Sequence, residues 1–282
     1  MMKKLLLIIF VAGSLMASAQ HELNVMTFNI RYDTVRDSLN AWPYRKDHAA
    51  SQVLFHKVHL LGVQEALHHQ MEDLTTGLKR FKYAGVGRID GKQKGEYSAI
   101  LYDTTRLQLL QAETFWLSET NEVGKKAWDA AYERIVTWAK FRDRKTKKIF
   151  YHFNTHFDHI GKVARRESAK LLLQKVKDIA GKSYCIITGD FNAKPSDEPI
   201  KLLKDKSNPD HLIDAKEISV QPHYGPTGTF NAFGPKEIND DPIDYIFVKN
   251  KVQVLQHATL SQTWQGRFSS DHFPVFAVLK LH

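Results

Sequence analysis

Apolar runs of strand length, closed again and again by Asn, Glu, Asp or His, leave this 282-residue chain few ways to fold. Runs at 21–30, 60–63, 81–87, 97–102, 107–117, 134–142, 148–156, 184–189, 227–230, 243–248, 252–260 and 275–279 are rich in Val, Ile, Phe, Leu and Tyr. Gly, Asp, Asn and Lys clusters separate them, as alternating strands and turns require. In the first run Leu23, Val25 and Thr27 alternate with Met26, Phe28 and Ile30, so both faces are covered.

Between these runs lie segments with helical spacing. Ala50, Val53, Leu54 and Val58 mark a helix over 47–58, and a second falls over 67–78. The clearest covers 162–180, where Ala169, Leu172, Leu173, Val176 and Ala180 share one face and Arg165, Arg166, Glu167, Lys175 and Asp178 lie off it. No internal repeat or Pro/Ser-rich linker interrupts the pattern, so residues 20–282 read as one catalytic-domain-sized unit. The expected class is α+β, with two packed, mostly antiparallel sheets flanked by helices and loops at one end that collect the functional residues.

The polar ends carry the chemistry. They are Asn29, Gln64-Glu65, Asn154-Thr155-His156 followed by Asp158-His159, Asp190-Phe191-Asn192, Asp244, and Asp271-His272 just before the last run. Any one alone reads equally as a turn. Together they offer oxygen ligands for a hard cation (Asn29, Glu65, Asp271), two imidazoles (His156, His272) and acceptors to orient them (Asp244, Glu96). On the run 150–156, Asn154 and His156 share a face, and a carboxylate beside an imidazole, as in Asp271-His272, can hold a cation with one group and handle a proton with the other.

Residues 1–19 have another character. Lys3 and Lys4 precede an apolar stretch from Leu5 to Ala12, and Ala17-Ser18-Ala19 forms an A-x-A cleavage pattern, which predicts a signal peptide and an exported protein, periplasmic or secreted. No later run is apolar for long enough to span a bilayer, so stable membrane insertion is not expected. Cys185 is the single cysteine, inside an apolar run, which excludes an intramolecular disulfide and predicts an inert buried thiol. The formal charge of +9 favours anionic partners, although its densest cluster (Lys140, Arg142, Arg144, Lys145, Lys147 and Lys148) falls on an expected hairpin turn.

With these motifs assembled, the chain resembles the endonuclease/exonuclease/phosphatase superfamily of DNase I-like, Mg²⁺-dependent phosphoesterases. The resemblance runs in order through Thr27-Phe28-Asn29-Ile30-Arg31, Gly62-Val63-Gln64-Glu65, Asn154-Thr155-His156, Thr188-Gly189-Asp190-Phe191-Asn192, Ile243-Asp244-Tyr245-Ile246 and Ser270-Asp271-His272-Phe273-Pro274. Segments 115–119, 154–159 and 244–247 look closest to a bacterial exported branch.

The resemblance implies a four-layer α/β-β/α sandwich. It implies Mg²⁺, with Mn²⁺ as a substitute, on Glu65 with Asn29 and Asp271 as direct or water-mediated ligands. It makes Asp190 and Asn192 the pair that places the attacking water and contacts the phosphoryl group. His272 held by Asp244 becomes the base or charge stabiliser, and His156, oriented by Glu96, acts near the leaving group with Asn154 in support. Arg31, Trp42 and Arg165 are candidates for substrate contact. The expected activity is phosphodiester hydrolysis on nucleic acid or nucleotides by an activated water. The alternatives are a phosphomonoesterase or phospholipid- or sugar-phosphate hydrolase on the same core and, more remotely, a silent anion-binding protein.

Overall fold

The computed structural model describes residues 22–234 and 241–282, so the expected signal peptide lies outside the described residues. One sheet has the order β11 (Val252–Thr259), β14 (Val275–Leu281), β1 (Glu22–Asn29), β2 (Leu60–Ala66), β4 (Tyr97–Asp103), β3 (Phe81–Ala84). The other has β5 (Leu107–Trp116), β6 (Ile135–Asp143), β7 (Ile149–His156), β8 (Tyr184–Asp190), β10 (Asp244–Lys249), β9 (Ile213–Asp214). A small hairpin pairs β12 (Thr263–Trp264) with β13 (Arg267–Phe268). Each large sheet contains one parallel pair, β1 with β2 and β7 with β8, and is otherwise antiparallel.

Helices cover the outer faces. From α1 (Lys46–Phe55) and α2 (His68–Gly77), Ala49, Val53, Met71 and Leu74 pack on Met26, Phe28 and Val63 of the first sheet. From α3 (Lys162–Ala180) and α4 (Glu198–Lys204), Leu172, Val176, Ile200 and Leu203 pack on Phe153, Ile187 and Phe247 of the second. The inner faces meet through Leu23, Val25, Leu60, Ile100, Phe141, Phe150, Ile186 and Leu279. These four layers are the expected sandwich. Several boundaries differ, and α4, β9, β12 and β13 fall where no element was expected. Gly85, at φ 135°, ends β3 early, and residues 227–230 make only an isolated bridge from Phe230 to His272.

Strand parity gives the seam between the sheets a direction. Along β1 the inward positions read Leu23, Val25, Thr27, Asn29; along β7, Phe150, His152, Asn154, His156; along β8, Ile186, Thr188, Asp190. One end of the seam is therefore apolar and the other polar. Between them Asn154 reaches from one sheet into the other. Its Nδ2 donates to the Val63 and Ala99 carbonyls at 2.8 and 2.9 Å, and its Oδ1 accepts from Gln64 Nε2 at 2.7 Å and Thr188 Oγ1 at 2.9 Å. All four bonds that this amide can make are made, which is what a fully buried polar group needs.

Gly62 is the residue that lets Asn154 in, since a Cβ there would overlap Thr188 Oγ1 and Asn154 Oδ1. We expect Gly62→Ala to destabilise the protein by about 1–3 kcal/mol through overpacking and loss of this bonding. Urea denaturation measures it, and an unchanged midpoint would refute the assignment.

Candidate active site

Register brings the polar ends together. His156 lies opposite Asp190 in the parallel β7–β8 pair, and Asp190 lies opposite Asp244 in the antiparallel β8–β10 pair. Asn29 pairs with Gln64, and the run into β14 returns antiparallel beside β1, so Asp271 and His272 arrive at the same end. These ends, with their loops, enclose a cavity of about 410 Å³ lined by Arg31, Glu65, Arg88, His156, Asp190 and His272 among others.

Backbone irregularity aims several of these side chains. Gln64 pairs with Ser98 and Ala66 with Tyr97, which leaves Glu65 as the extra residue of a β-bulge at φ 63°. Arg31 and Asn192 also have positive φ, 57° and 45°. Left-handed backbone at non-glycine residues costs energy and concentrates where surrounding structure enforces it. Buried Arg45 does part of the enforcing, because its guanidinium donates to the carbonyls of Ile30, Arg31, Asn40 and Ser269 at 2.5–3.0 Å.

His272 Nδ1 lies 2.9 Å from Asp244 Oδ2, and its Nε2 lies 3.8 Å from Asp190 Oδ2. Burial alone would discharge this ring, but the carboxylates of Asp244 and Asp190 outweigh it and hold the imidazole pKa well above its ordinary value. Asp190 is displaced upward by burial and then by Asp244, although Asn192 N–H at 2.9 Å and Asn29 Nδ2 at 3.0 Å donate to it.

His156 goes the other way. Burial, with Arg134 and Arg88 nearby, pushes it well below its ordinary value. Asn192 Nδ2 lies 3.0 Å from both the Phe157 carbonyl and His156 Nε2. The carbonyl fixes which end of the amide is the amino group, so Nε2 of His156 accepts and its proton sits on Nδ1.

Several residues do not do what the sequence implied. Asn29 is fully buried behind the cavity: its Nδ2 donates to Glu65 Oε1 at 3.1 Å and to Asp190. As placed, it links two carboxylates and turns its Oδ1 to the Arg31 N–H. Asn192 lines the cavity, with both amide protons spent on His156 and Phe157. Glu96 does not orient His156, because Arg88 takes both of its oxygens at 2.7 and 2.8 Å.

Trp42 is 1% exposed with its indole N–H on Asp73, so it covers the core and cannot stack on substrate. Arg165 donates to the Asp158 carbonyl at 2.8 Å and does not line the cavity. Arg31 does line it, 3.9 Å from Glu65 and 3.8 Å from Asp271, and is tied to Asp37.

Sequence reasoning missed Arg88, Tyr132, Arg134 and Phe230, and it gave His159 no role, though all five line the cavity. None sits at a strand end with a motif of its own. A single signal was available: Asp158-His159 directly follows the His156 segment.

Residues 26–272 match the Endonuclease/Exonuclease/phosphatase family. The chain belongs to that family. It is therefore a hydrolase of phosphoric esters of the metal-dependent type. An endonuclease/exonuclease/phosphatase protein of Bacteroides vulgatus is 39% identical, with 93% of this chain and 99% of that one covered and a TM-score of 0.88. The mannosyl-6-phosphatase of Bacteroides thetaiotaomicron is 37% identical, with 91% and 99% covered and a TM-score of 0.87. An uncharacterised protein of Acanthamoeba polyphaga mimivirus is 27% identical over 83% of this chain and 97% of its own length.

Two groups suit the divalent cation that the family employs. Asp190, Asp244 and His272 have ligand atoms within 4.8 Å of one another, but there the imidazole is already hydrogen-bonded to Asp244 and stands 3.8 Å from Asp190 as its counter-charge. Glu65 and Asp271 form the more open set. They share one guanidinium at 3.8–3.9 Å, and burial followed by repulsion from Glu65 raises Asp271. Sparse hard oxygens with uncompensated charge fit a divalent cation that keeps most of its water.

Asp158 anchors the missed wall. It accepts N–H groups from Ala131, Tyr132, Ile160 and Gly161 and pairs with Arg134. Burial opposes ionisation, but these partners outweigh it and bring the carboxyl down to about 2. The folded state thus binds fewer protons than the unfolded one, so this contribution is complete above about 4 and disappears as pH falls through about 2. The stability gap between wild type and Asp158→Asn should shrink over that window in denaturant titrations; a gap independent of pH would contradict the account.

Proposed function

We propose that the protein is an exported phosphomonoesterase acting on sugar phosphates or similar polyol phosphates with Mg²⁺, or Mn²⁺ in its place. The observation that carries this reading is the lining of the cavity: Arg31, Arg88 and Arg134 surround about 410 Å³ of space beside His156 and His272. All three are paired with carboxylates of the chain, but Arg88 Nε and Arg134 Nη1 have no hydrogen-bond partner among the described residues, and the volume suits one small molecule rather than a polymer. The relative at 37% identity that is a mannosyl-6-phosphatase supports it.

The expected nucleic-acid substrate fits less well. The basic cluster at 140–148 sits at the hairpin between β6 and β7, roughly 20 Å along the strands from His156. Trp42 offers no face for a base. Cleavage of nucleotide phosphodiesters stays as the second reading because two exposed rings, Tyr132 and Phe230, stand at the cavity and could stack on a base. Export rests on residues 1–19; among the described residues no helix is long and apolar enough to cross a membrane.

In the proposed reaction water attacks phosphorus, the bond to the alcohol oxygen breaks, the departing alkoxide takes a proton from solvent, and inorganic phosphate and the alcohol leave. Asp190 accepts the proton of the attacking water, and the His272 imidazolium, held by Asp244, gathers charge on the phosphoryl oxygens. His156 is positioned by Asn192 toward the leaving side. Glu65 and Asp271 hold the cation, which would polarise the phosphoryl group when bound.

We expect the mature protein with Mg²⁺ to hydrolyse hexose phosphates and p-nitrophenyl phosphate, and EDTA to abolish turnover. Asp190→Ala and His156→Ala should each lose about 10²-fold or more in kcat. Steady-state assays against these monoesters, bis(p-nitrophenyl) phosphate, plasmid DNA and single-stranded RNA decide between the readings, and a clear preference for diesters would replace the first with the second.

A further inference from the structure

His159 stands outside the hydrolytic chemistry yet is held as firmly as the groups inside it. It lies three residues beyond the end of β7, is exposed, and lines the same cavity as buried His156. Arg134 Nη2 approaches its Nδ1 at 3.1 Å. A guanidinium can only donate, so Nδ1 is the acceptor and the ring proton is confined to Nε2, on the edge turned away from Arg134. Arg134 itself is 5% exposed and fixed by Asp158 at 3.2 Å. The Tyr132 ring stacks on the imidazole at 5.8 Å and 15°, and the Arg88 guanidinium lies 5.1 Å from the Tyr132 ring.

This is more order than a solvated surface histidine needs. A neutral imidazole that can only donate, beside a phenol, is suited to hydroxyl groups. On the His272 side of the cavity stands Phe230, 45% exposed, with its ring edge-on to His272 at 5.1 Å. The cavity therefore offers a polar-aromatic patch at His159 and Tyr132 and an apolar ring face at Phe230, as a pyranose offers a hydroxyl edge and a C–H face.

We propose that His159, locked by Arg134 and flanked by Tyr132, is the specificity-determining donor for the alcohol half of the substrate, taking a sugar hydroxyl while Phe230 packs against the ring. The proposal rests on the monoester reading and names what that reading leaves open. Because His159 sits farther out than His156, it meets the part of the ester that projects from the phosphoryl group. It does not supply the leaving-group proton, since losing Nε2–H would leave an imidazolate; its contribution is binding.

The test is selectivity. In the wild-type holoenzyme, glucose 6-phosphate or mannose 6-phosphate should exceed ethyl phosphate in kcat/KM by about tenfold or more, the worth of one or two well-made hydrogen bonds. In His159→Ala the ratio of hexose 6-phosphate to p-nitrophenyl phosphate should fall about tenfold, mainly through KM and with no change in the shape of the pH profile. His159→Gln, which keeps an N–H donor, should recover part of the ratio.

A wild type that treats hexose and ethyl phosphates alike overturns the proposal, as does a His159→Ala variant that loses both substrates equally or neither. Either result leaves the monoester reading standing. A wild type inert toward every monoester overturns that reading and this proposal together.

Discussion

Everything in the site depends on a seam between two sheets that changes character along its length. At one end Leu23, Leu60, Phe150 and Leu279 close it as a dry core. At the other the same inward-facing strand positions carry Asn29, Gln64, His156, Asp190 and Asp244. The Asn154 amide marks the crossover, bonded to both sheets and leaving none of its own groups unpaired. Burying an amide without partners would cost several kcal/mol, so the relative placement of the sheets is held tightly where the site begins. An apolar residue at 154 would fill space without specifying register.

Above that layer the site separates its charges. His272 is gripped by Asp244 and faces Asp190, which outweigh its burial and favour the charged form, whereas burial, with Arg134 and Arg88 nearby, pushes His156 toward the neutral form. Two imidazoles, one at the end of β7 and one just before β14 of the other sheet, are thus given opposite tendencies by their surroundings, which is how one cavity can stabilise charge with one ring and engage the leaving side with the other. Asn29 joins the two acidic clusters by donating to Glu65 and Asp190 together. The more open carboxylates, Glu65 and Asp271, are left for the cation.

Much of this was legible in the sequence because strands obey a period of two. Alternation placed Asn154 with His156 on one face, and the recurrence of polar residues at strand ends pointed to a common rim. What was misread came from side chains whose direction depends on distant partners. Trp42 sits in a polar stretch but turns inward to Asp73, and Glu96 is claimed by Arg88, eight residues away and across a turn. Arg88 and Arg134 carry no motif, so nothing local marked them as part of the cavity. The bulge that turns out Glu65 is set by its pairing with β4 and has no signature within β2.

The sequence by itself determined most of the strands, the helices α1 to α3 and the family of chemistry at the strand ends, because local periodicity and residue type are properties of the chain alone. Only the tertiary structure decided which ends meet, which histidine is pushed toward its charged form, that Asn29 Nδ2 bridges Glu65 and Asp190, and that arginine, tyrosine and histidine line the cavity with the acidic cluster. Those outcomes depend on register between strands far apart in sequence and on electrostatic fields summed over several loops. The individual side chains are written in the sequence; their arrangement around one cavity is not.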